Sequence, residues 1–166
     1  MISKKIVSVI TSVMVFCCVV GVSLTNVKAD DSTPKSVDGS YLISADSSTG
    51  YTPKNNERGK HLMDGQCSIS KTGTKRIYAY GSTTANHTVD AVAVIVYVDQ
   101  YNEKDDEWYQ IDAFSKKVEN DYYVAASKSI QVDRGYYYRV HADHFVRMGE
   151  EPVEETFSVT NGILVP

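Results

Sequence analysis

The chain has 166 residues, 42% of them hydrophobic, and a formal net charge of −4 at pH 7. An acidic chain without a run of lysines or arginines is poorly suited to binding nucleic acid or an anionic membrane, so we exclude both as partners. The sequence also lacks a nucleophile-elbow motif, a zinc-protease motif and a phosphate-binding glycine loop, so we expect no catalytic residue and no cofactor.

The N-terminus has the three-part layout of a secretory signal peptide. Two lysines precede an apolar run over residues 6–22, and small residues follow at a cleavage motif that ends at Ala29. We predict a signal peptide helix over residues 1–29, cleaved between Ala29 and Asp30. A membrane-spanning helix is the alternative, which the cleavage motif and the lack of a following anchor disfavour. We therefore expect a secreted, extracellular protein with no stable membrane anchor after cleavage.

Cleavage would leave one domain held together by an apolar core. We assign residues 30–37 to a flexible lead-in and residues 38–166 to a single domain. The predicted mature chain loses three lysines and no acid, so its 14 basic and 21 acidic residues give a net charge of −7. Cys67 is the only cysteine left, which rules out a disulfide within the mature monomer. Because Cys67 alternates with Ile69 on one strand face, we predict a buried, unpaired thiol.

Apolar residues repeat with a period of two along the domain, which predicts strands rather than helices. A short first strand is predicted over Ser40–Ile43, and the polar stretch Ser47–Lys60 is predicted to be a loop. The strongest strand is Val89–Tyr101, which is apolar on both faces and should be central and covered, at least in part, on both sides. The other predicted strands are Gln66–Lys71, Lys75–Tyr80, Glu107–Ser115, Tyr122–Val132, Tyr136–Val146 and Glu154–Leu164.

Seven or eight short strands separated by turn signals indicate an all-β fold. We favour an antiparallel β-sandwich of immunoglobulin or fibronectin type. Tyr138 lies two residues before the core position Val140, as a tyrosine does in the late strand of such domains, and its hydroxyl should bond back to nearby backbone. Trp108 should then be a core or sheet-covering anchor. A small closed β-barrel is the alternative that the same patterning permits.

Two segments, Gly81–Asp90 and Arg134–His144, are together similar to those of a known group of proteins. The chain resembles small secreted proteins of Gram-positive bacteria that carry a β-rich domain of unknown function. The likeness covers roughly residues 38–163. It implies secretion and a β-fold, and it implies no reaction, ligand or catalytic residue.

One strand offers a candidate binding surface. Tyr137, Arg139, His141 and Asp143 alternate with Tyr136, Tyr138, Val140 and Ala142, so each set of four shares a face. We predict that the first set faces outward and the second inward. An outer row with a phenol ring, a guanidinium and a His–Asp pair is suited to stacking on and hydrogen bonding to an extracellular carbohydrate or protein. The alternative is an ordinary tyrosine-rich sheet surface.

Two other groups of residues suggest chemistry without a supporting motif. His141, Asp143 and His144 are good zinc ligands by type, but alternation on a strand sends His144 to the opposite face, so we assign no metal site. Cys67 with a histidine is a possible nucleophile–base pair, but we favour its burial instead.

These observations favour one class of function over two others. The preferred hypothesis is a non-enzymatic secreted binding or interaction module at or near the cell surface. A structural or self-associating extracellular protein is the second, and a small secreted hydrolase or metal-dependent enzyme is the third.

Overall fold

The computed structural model describes residues 33–53 and 59–166, and it confirms the all-β expectation. The predicted signal peptide and its cleavage point between Ala29 and Asp30 lie outside the described residues. Within the two described ranges, no helix is long and apolar enough to cross a membrane. The strands are β1 (Ser36–Val37), β2 (Ser40–Ile43), β3 (Ser47–Tyr51), β4 (Leu62–Gly73), β5 (Arg76–Asn102), β6 (Glu107–Gln131), β7 (Tyr136–Arg147), β8 (Glu154–Val159) and β9 (Gly162–Val165).

The strands form one mixed sheet. Its order is β1-β2-β9-β7-β5-β4-β3, with β6 also paired to β5 and β8 also paired to β7. Neighbours are antiparallel except β2 and β9, which run parallel with Leu42 opposite Gly162 and Ile43 opposite Ile163. The expectation of antiparallel neighbours therefore holds for most of the sheet but not for this pair. Residues 36 and 37, at the end of the predicted lead-in, form β1 and pair with β2.

The middle of the molecule is one long bent hairpin. The sequence predicted two strands in each arm, but β5 has 27 residues and β6 has 25, because pairing continues through the predicted breaks. The register between the arms is irregular between Thr84 and Val89. In the other arm, one residue beyond the partner of Val89, Asn120 has a φ of +53°, the left-handed conformation that asparagine tolerates better than most residues. Local irregularity in both arms lets the ribbon bend without ending the strands.

The bend folds the sheet over on itself and encloses the core. A Cβ atom added to Gly81 would lie 2.6 Å from Val96 Cγ2, although both residues belong to β5, so only glycine allows this close approach. The apolar residues of the enclosed face are buried, and burying each valine stabilises the fold by about 1.5–3 kcal/mol. Val92, Val94, Val96 and Val98 are completely buried. Their strand, β5, is central, as the sequence predicted.

The predicted loop Ser47–Lys60 is partly wrong. Its first five residues form β3, which pairs antiparallel with β4 from Ser47 opposite Ser70 to Tyr51 opposite Gln66. β3 has no run of large apolar residues, because its backbone passes close to the backbone at the end of β8. A Cβ at Gly50 would lie 2.0 Å from the Val159 carbonyl oxygen. A glycine at a close backbone contact looks like a loop signal in sequence but is compatible with a strand.

The last predicted strand, Glu154–Leu164, is two strands in the structure. β8 pairs with the second half of β7, and β9 pairs with its first three residues. Between them, Thr160 N donates to the Val140 carbonyl oxygen (2.9 Å), while Thr160 Oγ1 accepts from Val140 N (3.0 Å). The chain stays attached to β7 through this threonine while it passes from one strand to the next.

Candidate functional site

The two faces of β7 are mostly as predicted. Tyr138, Val140 and Ala142 are buried on the inner face, whereas His141 is half-buried on the outer face. Tyr136 is the exception: it was predicted to face inward and is 44% exposed. It begins the strand directly after the turn at Gly135. Its partner on β9, Val165, is buried in the core, but pairing of β7 to β5 reaches only Tyr138, so Tyr136 is covered on one side and parity alone does not bury it.

Arg139 was predicted to lie in an open outer row, but the structure buries it. Arg139 Nε donates to Asp99 Oδ2 (2.9 Å), and Nη2 donates to Asp38 Oδ2 (2.8 Å). Its Nη1 donates to the Asp38 carbonyl oxygen (3.0 Å) and to Ser40 Oγ (3.2 Å). The guanidinium carbon lies 4.6 Å from the ring centroid of Trp108, whose Nε1 donates to the carbonyl oxygen of residue 37. We call these residues the Arg139 network; Trp108 is its sheet-covering anchor.

The Arg139 network holds an ionised acid out of water. Asp99 is only 3% exposed. Burial by itself raises the pKa of the Asp99 carboxyl, but hydrogen bonds from His141 and Arg139 outweigh burial and hold that pKa below its ordinary value. His141 Nδ1 lies 3.0 Å from Asp99 Oδ2, and the His141 ring stacks on Tyr97 with centroids 4.6 Å apart. The arginine and the histidine therefore already serve the fold.

A cleft lies beside this network, between the tip of the β5–β6 hairpin and the β6–β7 turn. It has a volume of about 660 Å³, within the range of small-molecule sites. We call it the hairpin cleft. Gly135 shapes one wall with a φ of +83°, and its N–H donates to the Val165 carbonyl oxygen (2.7 Å). The lining residues are Gln100, Tyr101, Asn102, Glu103, Lys104, Tyr109, Arg134, Gly135, Tyr136 and Tyr137.

The hairpin cleft brings together four tyrosines from separate parts of the chain. Tyr109 and Tyr136 are 46% and 44% exposed, whereas Tyr101 is buried and closes the floor. Tyr109 Oη donates to Asp105 Oδ2 (3.1 Å), and this hydrogen bond raises the pKa of the Tyr109 phenol. Of the four residues predicted as a binding row, only Tyr137 lines the cleft.

Sequence reasoning missed Tyr109, Arg134 and Tyr136 as members of this site. A signal for them was present. Tyr109 and Tyr136 lie at or near the start of predicted strands and Arg134 lies between two of them, and loops next to rigid strands commonly carry binding residues. The sequence does not indicate that the hairpin tip and the β6–β7 turn lie side by side.

Of the remaining candidate residues, Asp143 is half-buried on the outer face of β7, and His144 and Cys67 are in the core. His144 is completely buried, with Nδ1 2.9 Å from Thr83 Oγ1 and Nε2 2.8 Å from Ser158 Oγ. It points away from His141, as predicted. Cys67 is a buried free thiol, which confirms that prediction, and burial raises its pKa to about 11. Across residues 33–53 and 59–166, no group of three or more His, Cys, Asp or Glu side chains is arranged to hold a metal ion.

We expect His144 to make the protein less stable in acid. Burial lowers the pKa of His144 from 6.5 to about 4, so between these pH values the unfolded chain binds a proton that the folded chain does not. Stability should therefore fall as pH falls from 6.5 to 4, by up to about 3 kcal/mol from this group. Urea melts at several pH values measure the loss. The variant His144→Gln should lose this part of the pH dependence and keep only the part that comes from the carboxylates. A stability that falls with pH as steeply in His144→Gln as in the wild type would contradict the assignment to His144.

No protein-family model matches the chain, and no curated protein matches it significantly.

Proposed function

We propose that this protein is a non-enzymatic, secreted binding module whose ligand occupies the hairpin cleft. The observation that carries this proposal is the grouping of tyrosines around one open cleft, with the exposed Tyr109 and Tyr136 and the half-buried Tyr137 on its walls. Tyrosine offers a large, flat contact surface with few rotatable bonds, which is why it is common at binding surfaces. Glu103 is the one carboxylate among the described lining residues, whereas glycoside hydrolysis ordinarily needs a pair of carboxylates, which favours binding over hydrolysis.

An extracellular carbohydrate is the ligand class that fits this lining best. The tyrosine rings provide flat apolar faces for the C–H side of a sugar ring. Arg134 and Lys104 provide donors, Glu103 provides acceptors, and the amides of Gln100 and Asn102 provide both. A small number of polar groups around an aromatic surface fixes a ligand's orientation, while the apolar contact contributes affinity.

The proposal is tested by a glycan array probed with the secreted protein, followed by titration calorimetry with any sugar that binds. We expect Tyr109→Ala and Tyr136→Ala each to weaken binding about fivefold or more, because truncating an aromatic residue that contributes strongly to binding costs over about 1 kcal/mol. Tyr51→Ala is the matched control, since Tyr51 is 61% exposed and does not line the cleft. Equal affinities in all three variants would remove the cleft from consideration. If the wild type bound neither the glycan array nor a preparation of cell wall, carbohydrate would be rejected as the ligand class.

We also propose that the curled sheet is a distorted relative of the immunoglobulin-like sandwich. Two observations support it. The two halves of β5 pack face to face at Gly81 and Val96. The Tyr138 hydroxyl donates to the Asp133 carbonyl oxygen (2.9 Å), a tyrosine corner of the kind found in such domains. The parallel pairing of β2 and β9 is the departure from that pattern.

A further inference from the structure

Two of the four histidines of the chain meet at the bend of the long hairpin. His61 directly precedes β4, and His87 lies in the irregular segment of β5 between Thr84 and Val89. His61 Nδ1 lies 3.1 Å from His87 Nε2, and the two rings cross edge to face at 78° with centroids 5.0 Å apart. His61 is 5% exposed, whereas His87 is exposed. We call these two residues the histidine pair; neither lines the hairpin cleft.

Hydrogen bonds to the backbone hold the two histidines together. Asn86 N donates to the His61 carbonyl oxygen (2.9 Å), and Asn86 Nδ2 donates to the Lys60 carbonyl oxygen (2.8 Å). The Glu154 carboxylate accepts from His61 N (2.9 Å). The segment that carries His87 is therefore fixed to the segment that carries His61 independently of the contact between the two rings.

A carboxylate orients the His61 ring. Glu151 Oε2 lies 3.2 Å from His61 Nε2, and Lys60 Nζ donates to Glu151 Oε1 (2.8 Å). Hydrogen bonds from Lys60 and His61 hold the pKa of the Glu151 carboxyl below its ordinary value, so this carboxylate is ionised and can only accept. The network assigns the proton of a neutral His61 to Nε2 and leaves a lone pair on Nδ1, the atom that faces His87. Histidines that bind metals usually donate from their other ring nitrogen to such an acceptor.

We propose that His61 Nδ1 and His87 Nε2 together bind one divalent transition metal ion at the bend, with water in its remaining positions. Metal–imidazole bonds are about 2.0–2.1 Å long, so two nitrogens on one ion are about 2.8–3.0 Å apart at a right angle and about 3.3–3.4 Å apart at the tetrahedral angle. The separation of 3.1 Å in the structure lies between these values. His87 accommodates the ion by carrying its proton on Nδ1 instead of Nε2, and water can exchange this proton because the residue is exposed.

Copper(II) is the ion that we expect the histidine pair to bind most tightly. Zinc sites ordinarily use three or four protein ligands. The histidine pair has two, which is compatible with the lack of larger groups of metal-ligating side chains in the part of the chain that the structure describes. A given nitrogen site binds copper(II) more tightly than zinc, and copper(II) favours tetragonal sites of nitrogen and oxygen. The hairpin cleft supplies no ligand, so the metal site is independent of the proposed function.

Titration of the untagged protein with copper(II) chloride, followed by calorimetry and electron paramagnetic resonance, tests the site. We expect one bound ion per chain, with coupling to two imidazole nitrogens in the resonance spectrum. His87→Ala should weaken binding by at least the factor of about 10–100 that is typical when only a group orienting a ligand is lost. His87 is exposed, so the variant stays folded, which circular dichroism checks. His141→Gln is the matched control: it removes a histidine outside the pair, keeps a donor for Asp99 and should bind copper(II) as the wild type does.

A second pair of variants tests Glu151 as a positioning residue. Glu151→Gln removes the charge that orients His61 and should weaken copper(II) binding by about tenfold or more. Glu150→Gln removes the same charge from the neighbouring exposed residue and should leave binding unchanged. Equal weakening by the two variants would mean that net charge alone attracts the ion, and it would overturn the oriented site.

Three other results would overturn the proposal. The first is a wild type that binds no copper(II), or binds it without coupling to imidazole nitrogen. The second is a folded His87→Ala variant with the affinity of the wild type. The third is a His141→Gln variant that loses as much affinity as His87→Ala, because binding would then not depend on the histidine pair.

Discussion

Replacing Arg139 with alanine should destabilise the fold by about 3–5 kcal/mol, the usual effect of removing one partner from a buried ion pair. The variant leaves the Asp99 carboxylate, which is 3% exposed, with His141 as its remaining side-chain partner and without the permanent charge of the guanidinium. It also releases the backbone and carboxylate of Asp38 and the hydroxyl of Ser40. Equilibrium urea denaturation at neutral pH measures the loss. This expectation reverses the prediction from sequence, in which Arg139 was an exposed residue that the fold does not need.

A double variant separates the cost of leaving the Asp99 charge without its arginine partner from the cost of losing the packing of the Arg139 side chain. Asp99→Asn combined with Arg139→Met removes both charges and keeps most of the packing against Trp108, so it should be more stable than Arg139→Ala. Arg139→Lys should be intermediate, because an ammonium group cannot bond to Asp99, Asp38 and Ser40 in the geometry of a planar guanidinium. If the free energy of unfolding of Arg139→Ala were within about 1 kcal/mol of the wild-type value, the loss would lie below the range expected for a buried pair and would show that the network contributes little to stability.

Replacing Tyr138 with alanine should destabilise the fold by a similar amount, about 3–5 kcal/mol, by analogy with the truncation of a buried phenylalanine. The ring is 1% exposed and packs in the core cluster. Burial raises the pKa of the Tyr138 phenol to about 12, so the hydroxyl stays protonated and continues to donate to the Asp133 carbonyl oxygen. Tyr138→Phe removes this hydrogen bond alone and should cost about 1 kcal/mol.

Tyr137→Ala is the matched control for Tyr138→Ala. Tyr137 is the neighbouring residue on the other face of β7 and is only half-buried, so its truncation should cost much less. Denaturant melts of the three variants rank them directly. A larger loss in Tyr137→Ala than in Tyr138→Ala would mean that the two faces of this strand are exchanged.

The sequence by itself determined which residues of a strand share a face. Alternation is a local property of extended backbone, so the pattern around Tyr138, Val140 and Ala142 and the burial of Cys67 followed from neighbouring residues alone. The all-β class followed for the same reason. The prediction failed for Tyr136 because β5 pairs with β7 only as far as Tyr138 and leaves one side of Tyr136 uncovered, and local alternation carries no information about where a neighbouring strand stops pairing.

The tertiary structure decided how long the strands are, which polar groups are buried and where the cleft lies. Each depends on contacts between residues far apart in the chain. Arg139 is buried by Asp99, 40 residues away, and by Asp38, 101 residues away. The two arms of the long hairpin continue past the predicted breaks because each supplies the other's backbone hydrogen bonds on both sides of the bend. The hairpin cleft exists because folding sets the β5–β6 tip beside Arg134 and Tyr136. No local sequence pattern predicts such a contact, because its free energy depends on two distant segments together and not on either segment alone.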